Sequence, residues 1–361
     1  DVDSAVIIGM NAGFSNMTDD ADGTVAVGHS ALNALTSGIG NVAVGFQAGM
    51  AATDNSRNTV IGHGAYRYST SSDDNVVVGF NALRNAGSAN AGSNKNIAIG
   101  SYALDAADGG ENDNIAIGYD AMGNANNSST EFNIAIGNYT LDAIAGNTQT
   151  GTIAIGHQSL TALTSGSGNT AIGFQAGLLN TTGASNTYIG YAVADATHVD
   201  STGNVAIGKN AFGGSHATTS SNYNTAVGEG AMSTGALVGV DGATAIGYSA
   251  LAALTTGAKN VAIGYEALKS LTTGDNNIAI GYQALLDGNT SETDNIAIGA
   301  HALQNMDDGN STKNIAIGTS VMLGVSGSAI TNNTAVGYEA MKGVATASGT
   351  TAIGASALYA L

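Results

Sequence analysis

Acidic side chains are the first candidates for chemistry in this sequence. Asp19, Asp20 and Asp22, the pair Asp73 and Asp74, the run from Asp105 to Asp113, and the pair Asp307 and Asp308 each bring carboxylates within a few residues of one another. Hard oxygen donors grouped in this way could take Ca²⁺. None of the clusters matches the EF-hand loop or the Gly-rich nonapeptide calcium repeat, so solvated charge on exposed loops is the simpler expectation.

Imidazoles and aromatic rings come next. His29, His63 and His157 each follow a Gly directly, and the same position holds Phe46, Phe80, Tyr119, Phe174, Tyr191, Tyr248, Tyr265, Tyr282 and Tyr338. A strip of rings could bind sugars, or the rings could stack on one another and cover a core edge, as flat side chains commonly do. The three imidazoles lie too far apart in the chain to meet at one metal ion, and only several copies around an axis would bring equivalent ones together.

Covalent catalysis finds little support. No nucleophile elbow, phosphate-binding loop, dinucleotide fingerprint or paired His and carboxylate spacing stands out. The absence of Cys removes thiol nucleophiles, disulfides, zinc thiolates and iron–sulfur clusters together. With a formal charge of −18 and only 9 Lys plus Arg, the chain lacks the basic patches that nucleic acids and anionic membranes require. No apolar run approaches the ~18 residues of a membrane span, so no membrane insertion is expected. The start at Asp1 carries neither a basic segment nor an apolar core of the kind a secretion signal has.

These residues are carried by a repeat. A Gly preceded by Ile or Val recurs twenty times, from Gly9 to Gly354, at spacings of 17 to 21 residues. A well-formed copy runs Asn277-Ile278-Ala279-Ile280-Gly281-Tyr282-Gln283-Ala284-Leu285, which generalises to N-[IVT]-A-[IV]-G-x-x-A-L followed by a polar loop. A fixed period over the whole chain marks a solenoid, read here as a single domain over 1–361. The 361 residues contain no Pro, where average usage would give about 18. Pro cannot donate to a hydrogen-bonded ladder, so its absence suits stacked strands. Variable lengths fall between the Ala-Leu pair and the next Asn, as in Asn85 to Lys95 and Gly213 to Tyr223, which places loops on one side.

The Ile-Ala-Ile segment is too short and too branched for a helix and reads as a buried parallel strand. Its large residues, Ile278 and Ile280, are expected to fill the coil interior, while Ala279 and Asn277 face outward. Ala at that position in sixteen of the twenty copies would then form a strip of small side chains for close subunit contact. Asn stands four residues before the Gly in fifteen copies, for instance Asn41, Asn96, Asn169, Asn260 and Asn314, and stacking would align these amides into a hydrogen-bonded column. The Ala-Leu pair, as at Ala267-Leu268 and Ala302-Leu303, is read as a second strand, with a single helical turn as the competing reading. His29 to Gly49 and His157 to Gly177 agree at 15 of 21 positions, the mark of an internal duplication. The fold expected is all-β, a parallel β-solenoid or β-roll of about twenty coils of 17–21 residues, giving a rod of very roughly 95 Å at ~4.8 Å per coil.

The motif Asn-Val-Ala-Ile-Gly, at Asn204 to Gly208 and again at Asn260 to Gly264, resembles the head repeats of trimeric autotransporter adhesins, the YadA-like β-roll, and similar repeats in phage tail-fibre shafts. The similarity extends over essentially the whole chain. It implies left-handed winding, a homotrimer packed around a three-fold axis and a role in adhesion to a cell or matrix surface. The coils here are longer than those of the adhesins, and no neck, coiled-coil stalk or C-terminal barrel is present in the sequence.

Together these readings lead to a non-enzymatic structural fibre outside the cell, on a cell surface or on a virion: an adhesin-like shaft whose partners are other copies of itself and a cell-surface glycan or receptor. A self-assembling filament of subunits stacked end to end is the second expectation. An ice-binding or carbohydrate-binding solenoid is the third, with varying loop lengths set against a regular ice-binding array. Hexapeptide acyltransferases share the solenoid form, but their motif recurs several times per coil, and this one does so once.

Overall fold

Three residues ahead of each anchoring Gly form a strand, and the first and third of them are Val, Ile or Thr throughout. Branching at Cβ restricts the side chain to rotamers that suit an extended backbone, so these triplets favour strand over helix. The Gly then turns the chain at a conformation L residues avoid. Gly208 has φ 130°, and a Cβ on it would lie 2.7 Å from the carbonyl carbon of Gly228 in the next coil. Both the dihedral and the close approach demand Gly.

The computed structural model describes residues 4–359 except 16, 19–20, 88–91, 128, 145, 197–199, 215–218, 288–290, 306–310, 325–329 and 345. Two units are distinguished, Asp1–Ser185 and Asn186–Leu361. In the first, ten strands from Val6–Ile8 to Thr170–Ile172 pair successively and in parallel. In the second, ten strands from Thr187–Ile189 to Thr351–Ile353 do the same, and a short additional ladder joins Ile330–Thr331 to Ala347–Ser348. Equivalent residues pair without slippage, as Ile278, Ala279 and Ile280 do with Ile296, Ala297 and Ile298. Each unit is a parallel β-solenoid, with no α-helix among the described residues.

The strands face the opposite way from the expectation. Ala279 is fully buried, and so is nearly every equivalent Ala, while Ile278 and Ile280 are only partly covered. The interior is shallow: the strand-centre Ala meets a wall that brings its own Ala284 and Leu285, both buried. Small side chains predominate between the walls, with Val60 and Val77 the branched residues buried there, and the flanking Val, Ile and Thr of each strand are left outside. The strip of small residues is therefore core, and a subunit contact on it is ruled out. Tyr188 shows how tight the space is. It is a fully buried Tyr at the strand centre, and its coil carries Ala194 where others have Leu. Bulk added on one wall is removed from the other, as close packing requires.

The Ala-Leu segment is neither a strand nor a helical turn. Every second residue after the Gly lies in the left-handed region: Gln283 has φ 51° and Leu285 φ 51°, and Glu266 and Leu268 repeat the pattern at 54° and 50°. Such a conformation costs about 1–2 kcal/mol for a residue other than Gly, and neighbouring coils offset it. The Gln283 N–H donates to the Tyr265 carbonyl at 2.9 Å, and the Leu285 N–H to the Ala302 carbonyl at 2.9 Å. The turn is thus hydrogen-bonded above and below, as a strand would be, while curling the chain back within a few residues.

Inside each unit the Asn column forms as the spacing predicts. Asn277 Nδ2 donates to Asn260 Oδ1 at 3.0 Å and to the Glu292 carbonyl at 2.7 Å, and Asn295 repeats the pattern on Asn277 and Ser311. These amides are buried, on the inner face rather than the outer one. Burial without partners would cost several kcal/mol each, and the column satisfies them coil by coil.

Candidate functional site

Turning the strands over creates the most conspicuous surface of the molecule. Both outward positions of every strand ahead of an anchoring Gly are Val, Ile or Thr, so each unit carries two parallel columns of β-branched side chains. Neighbours above and below cover part of each, yet Ile61 remains 42% exposed and Ile246 38%. The column nearer the Gly holds only Ile and Val; the other admits Thr as well.

Two residues beyond that column stands the ring position. In the first unit the rings form a continuous ladder. His29 stacks on Phe46 at 5.1 Å, Phe46 on His63 at 4.8 Å and His63 on Phe80 at 5.2 Å. The ladder continues edge to face through Tyr102, Tyr119 and Tyr139 to His157, which stacks on Phe174 at 5.6 Å. In the second unit Tyr248, Tyr265 and Tyr282 stack at 5.1 and 5.3 Å, and His301 closes edge-on. Tyr102, Tyr139 and His301 fall outside the sequence pattern, because each lies one residue later in its copy than the other rings. An alignment of the copies allowing that offset finds them.

Phe46, His63 and Tyr265 are stacked on both sides, so their two faces are engaged by neighbouring rings. Sugar recognition by stacking needs free faces, so these stretches are built as packing. The imidazoles sit within the ladder, with Phe46 between His29 and His63. The duplicated segments repeat the geometry as well as the sequence, with ring pairs inclined at 14° in one and 13° in the other.

The acidic residues divide into engaged and crowded groups. Asp74 takes a two-pronged ion pair from Arg57, at 2.6 and 2.9 Å, which holds its carboxyl below the ordinary range. Asp73 accepts the Ser56 N–H at 2.7 Å. Stacking brings Asp105 together with Asp120 and Asp142 from the following coils, a grouping invisible in the linear clusters. Burial, reinforced by the two neighbouring carboxylates and opposed by Arg84, pushes Asp105 up to about 6. Burial and Asp120 push Asp142 to about 6, although Asn124 donates to it at 3.1 Å. Among the described residues no three His, Asp or Glu are arranged to hold a metal ion. Asp19, Asp20, Asp307 and Asp308 lie outside the described residues.

No protein-family model matches the chain, and no curated protein is significantly similar to it.

Proposed function

We propose that this chain is a non-enzymatic structural protein, a shaft-like fibre component displayed outside the cell or on a virion, whose copies associate through the outward β-branched face. One observation carries the reading: at both outward positions of every strand ahead of an anchoring Gly the residue is Val, Ile or Thr, and many are exposed. An exposed, regular, apolar sheet surface invites aggregation unless something covers it. Ten coils at ~4.8 Å, with a face about 15 Å wide including the rings, give roughly 700 Å² per unit. That is close to the ~800 Å² each partner contributes to a standard protein interface. Identical copies suit it because the face repeats the same chemistry from coil to coil. Three is the number that the resemblance to trimeric adhesin heads implies. The polar loops are left outside such an assembly to meet a cell-surface glycan or receptor, and the net charge of −18 keeps it soluble.

Sedimentation velocity combined with electron microscopy tests this. A discrete elongated trimer supports it, and a monomer at micromolar concentration refutes association through the face. Indefinite fibres would favour end-to-end polymerisation instead.

A further inference from the structure

The outward column farther from the Gly is not uniform in the second unit. Thr187, Thr225, Thr244, Thr334 and Thr351 occupy it, separated by Val and Ile at the remaining five strands. The column nearer the Gly contains no Thr at all. Thr and Val have nearly the same shape, so the difference is a hydroxyl. None of these five hydroxyls bonds to another described residue, and all five side chains are partly or fully exposed. Strand formation does not explain the choice, since Val and Ile serve equally well at neighbouring coils.

A face of identical apolar columns has a defect as an interface between copies. Sliding one copy by a single coil brings Ile and Val against Ile and Val again, so packing alone does not select a register. We propose that the threonines select it. Resting on the association proposed above, this assigns the Thr positions as register pins between copies of the chain. When copies lie level, each Thr faces the same Thr of its neighbour, and the hydroxyls satisfy one another. Slipped by one coil, only Thr225 with Thr244 and Thr334 with Thr351 still coincide, and the remaining hydroxyls are buried against methyl groups. Each hydroxyl so stranded disfavours the slipped arrangement about tenfold. The irregular order matters, because evenly spaced Thr would coincide again after a short slip. A single polar residue in an otherwise apolar seam fixes register in coiled coils by the same physics.

The chain has no Cys, which makes the test clean. Chains carrying Ile278→Cys and chains carrying Ile296→Cys are co-expressed, oxidised and analysed by mass spectrometry for linked peptides. Links between equal positions report level copies, and links from 278 to 296 report a slip of one coil. With the threonines in place, slipped links should be at least tenfold rarer than level ones. With T187V, T225V, T244V, T334V and T351V combined with T59V and T170V, which take the same position in the first unit, the assembly should persist in sedimentation while slipped links rise to a comparable level. Should that variant misfold, the pair T225V/T244V gives a smaller rise in the same direction. An intact assembly in which slipped links stay equally rare without the hydroxyls overturns the register proposal alone. A monomeric parent chain overturns the association itself.

Discussion

Asn277 and Asn260, seventeen residues apart, share one side-chain hydrogen bond of 3.0 Å, and Asn260 Oδ1 also accepts the Asn277 backbone N–H at 2.9 Å. Each amide of the column is therefore acceptor for the next coil and donor to the last. Replacing Asn277 by Ala leaves Asn260 Oδ1 only the backbone N–H, takes the side-chain donor from the Glu292 carbonyl and removes the acceptor of both the Asn295 N–H and its Nδ2. A loss of about 3 kcal/mol in urea or thermal unfolding is expected. The column is interrupted naturally at Ala243, whose N–H still reaches Asn224 Oδ1 at 2.8 Å. Ala243→Asn should restore the missing link and add about 1 kcal/mol, measured the same way.

Substitutions on the two sides of one strand should behave differently. Ala279→Leu forces bulk into the shallow interior and should destabilise the fold by about 3 kcal/mol or more. Ile280→Asp changes only the outward column. It should leave circular dichroism and monomer stability nearly intact while abolishing association in sedimentation. Dissociation by the inward variant and none by the outward one would contradict the orientation and the interface together.

Gly positions divide in the same way. Gly208→Ala meets both a φ of 130° and the Gly228 backbone at 2.7 Å, and should cost more than about 3 kcal/mol in thermal unfolding. Gly349 has φ 66° and no other group within 4 Å of where a Cβ would stand. Its replacement by Ala should cost only about 1 kcal/mol, the strain of the left-handed dihedral alone.

The crowded carboxylates make the first unit respond to acid. Asp105 and Asp142 are raised to about 6 in the fold, above the ~3.9 of an unfolded Asp. The folded state therefore binds protons first as the pH falls, and these two groups stabilise it increasingly from pH 7 down toward pH 4. Asp74, lowered by Arg57, works in the opposite sense, and its contribution fades only as the pH drops through its reduced folded value. Melting temperature measured from pH 7 to pH 5 should rise, and Asp105→Asn with Asp142→Asn should flatten that rise.

Much of the fold is legible in the sequence. The period, the strands, their parallel stacking and the Asn column follow from N-[IVT]-A-[IV]-G alone, because each depends on local geometry repeated in register. The side that faces inward is not legible. Alternation separates Ala279 from Ile278 and Ile280, but which set is core depends on how near the opposite wall lies. That distance is set by the turn at Gln283 and Leu285, where two residues other than Gly adopt left-handed dihedrals. No residue type announces such a turn, and Ala-Leu therefore reads as a strand. The cluster of Asp105, Asp120 and Asp142 escapes for a different reason, since Asp105 and Asp142 share an offset but belong to coils two apart, and Asp120 of the coil between stands at another offset.

The glycine turn carries a consequence for how such a chain can change over generations. Because Gly208 is fitted to the backbone of the coil directly after it, and every strand to its neighbours at matching positions, partial coils have no place to dock. Whole coils do, since each offers its successor the same ledge it received. Growth by copying complete repeats is thus the short route to a longer molecule, and the paired segments beginning at His29 and His157 look like its trace.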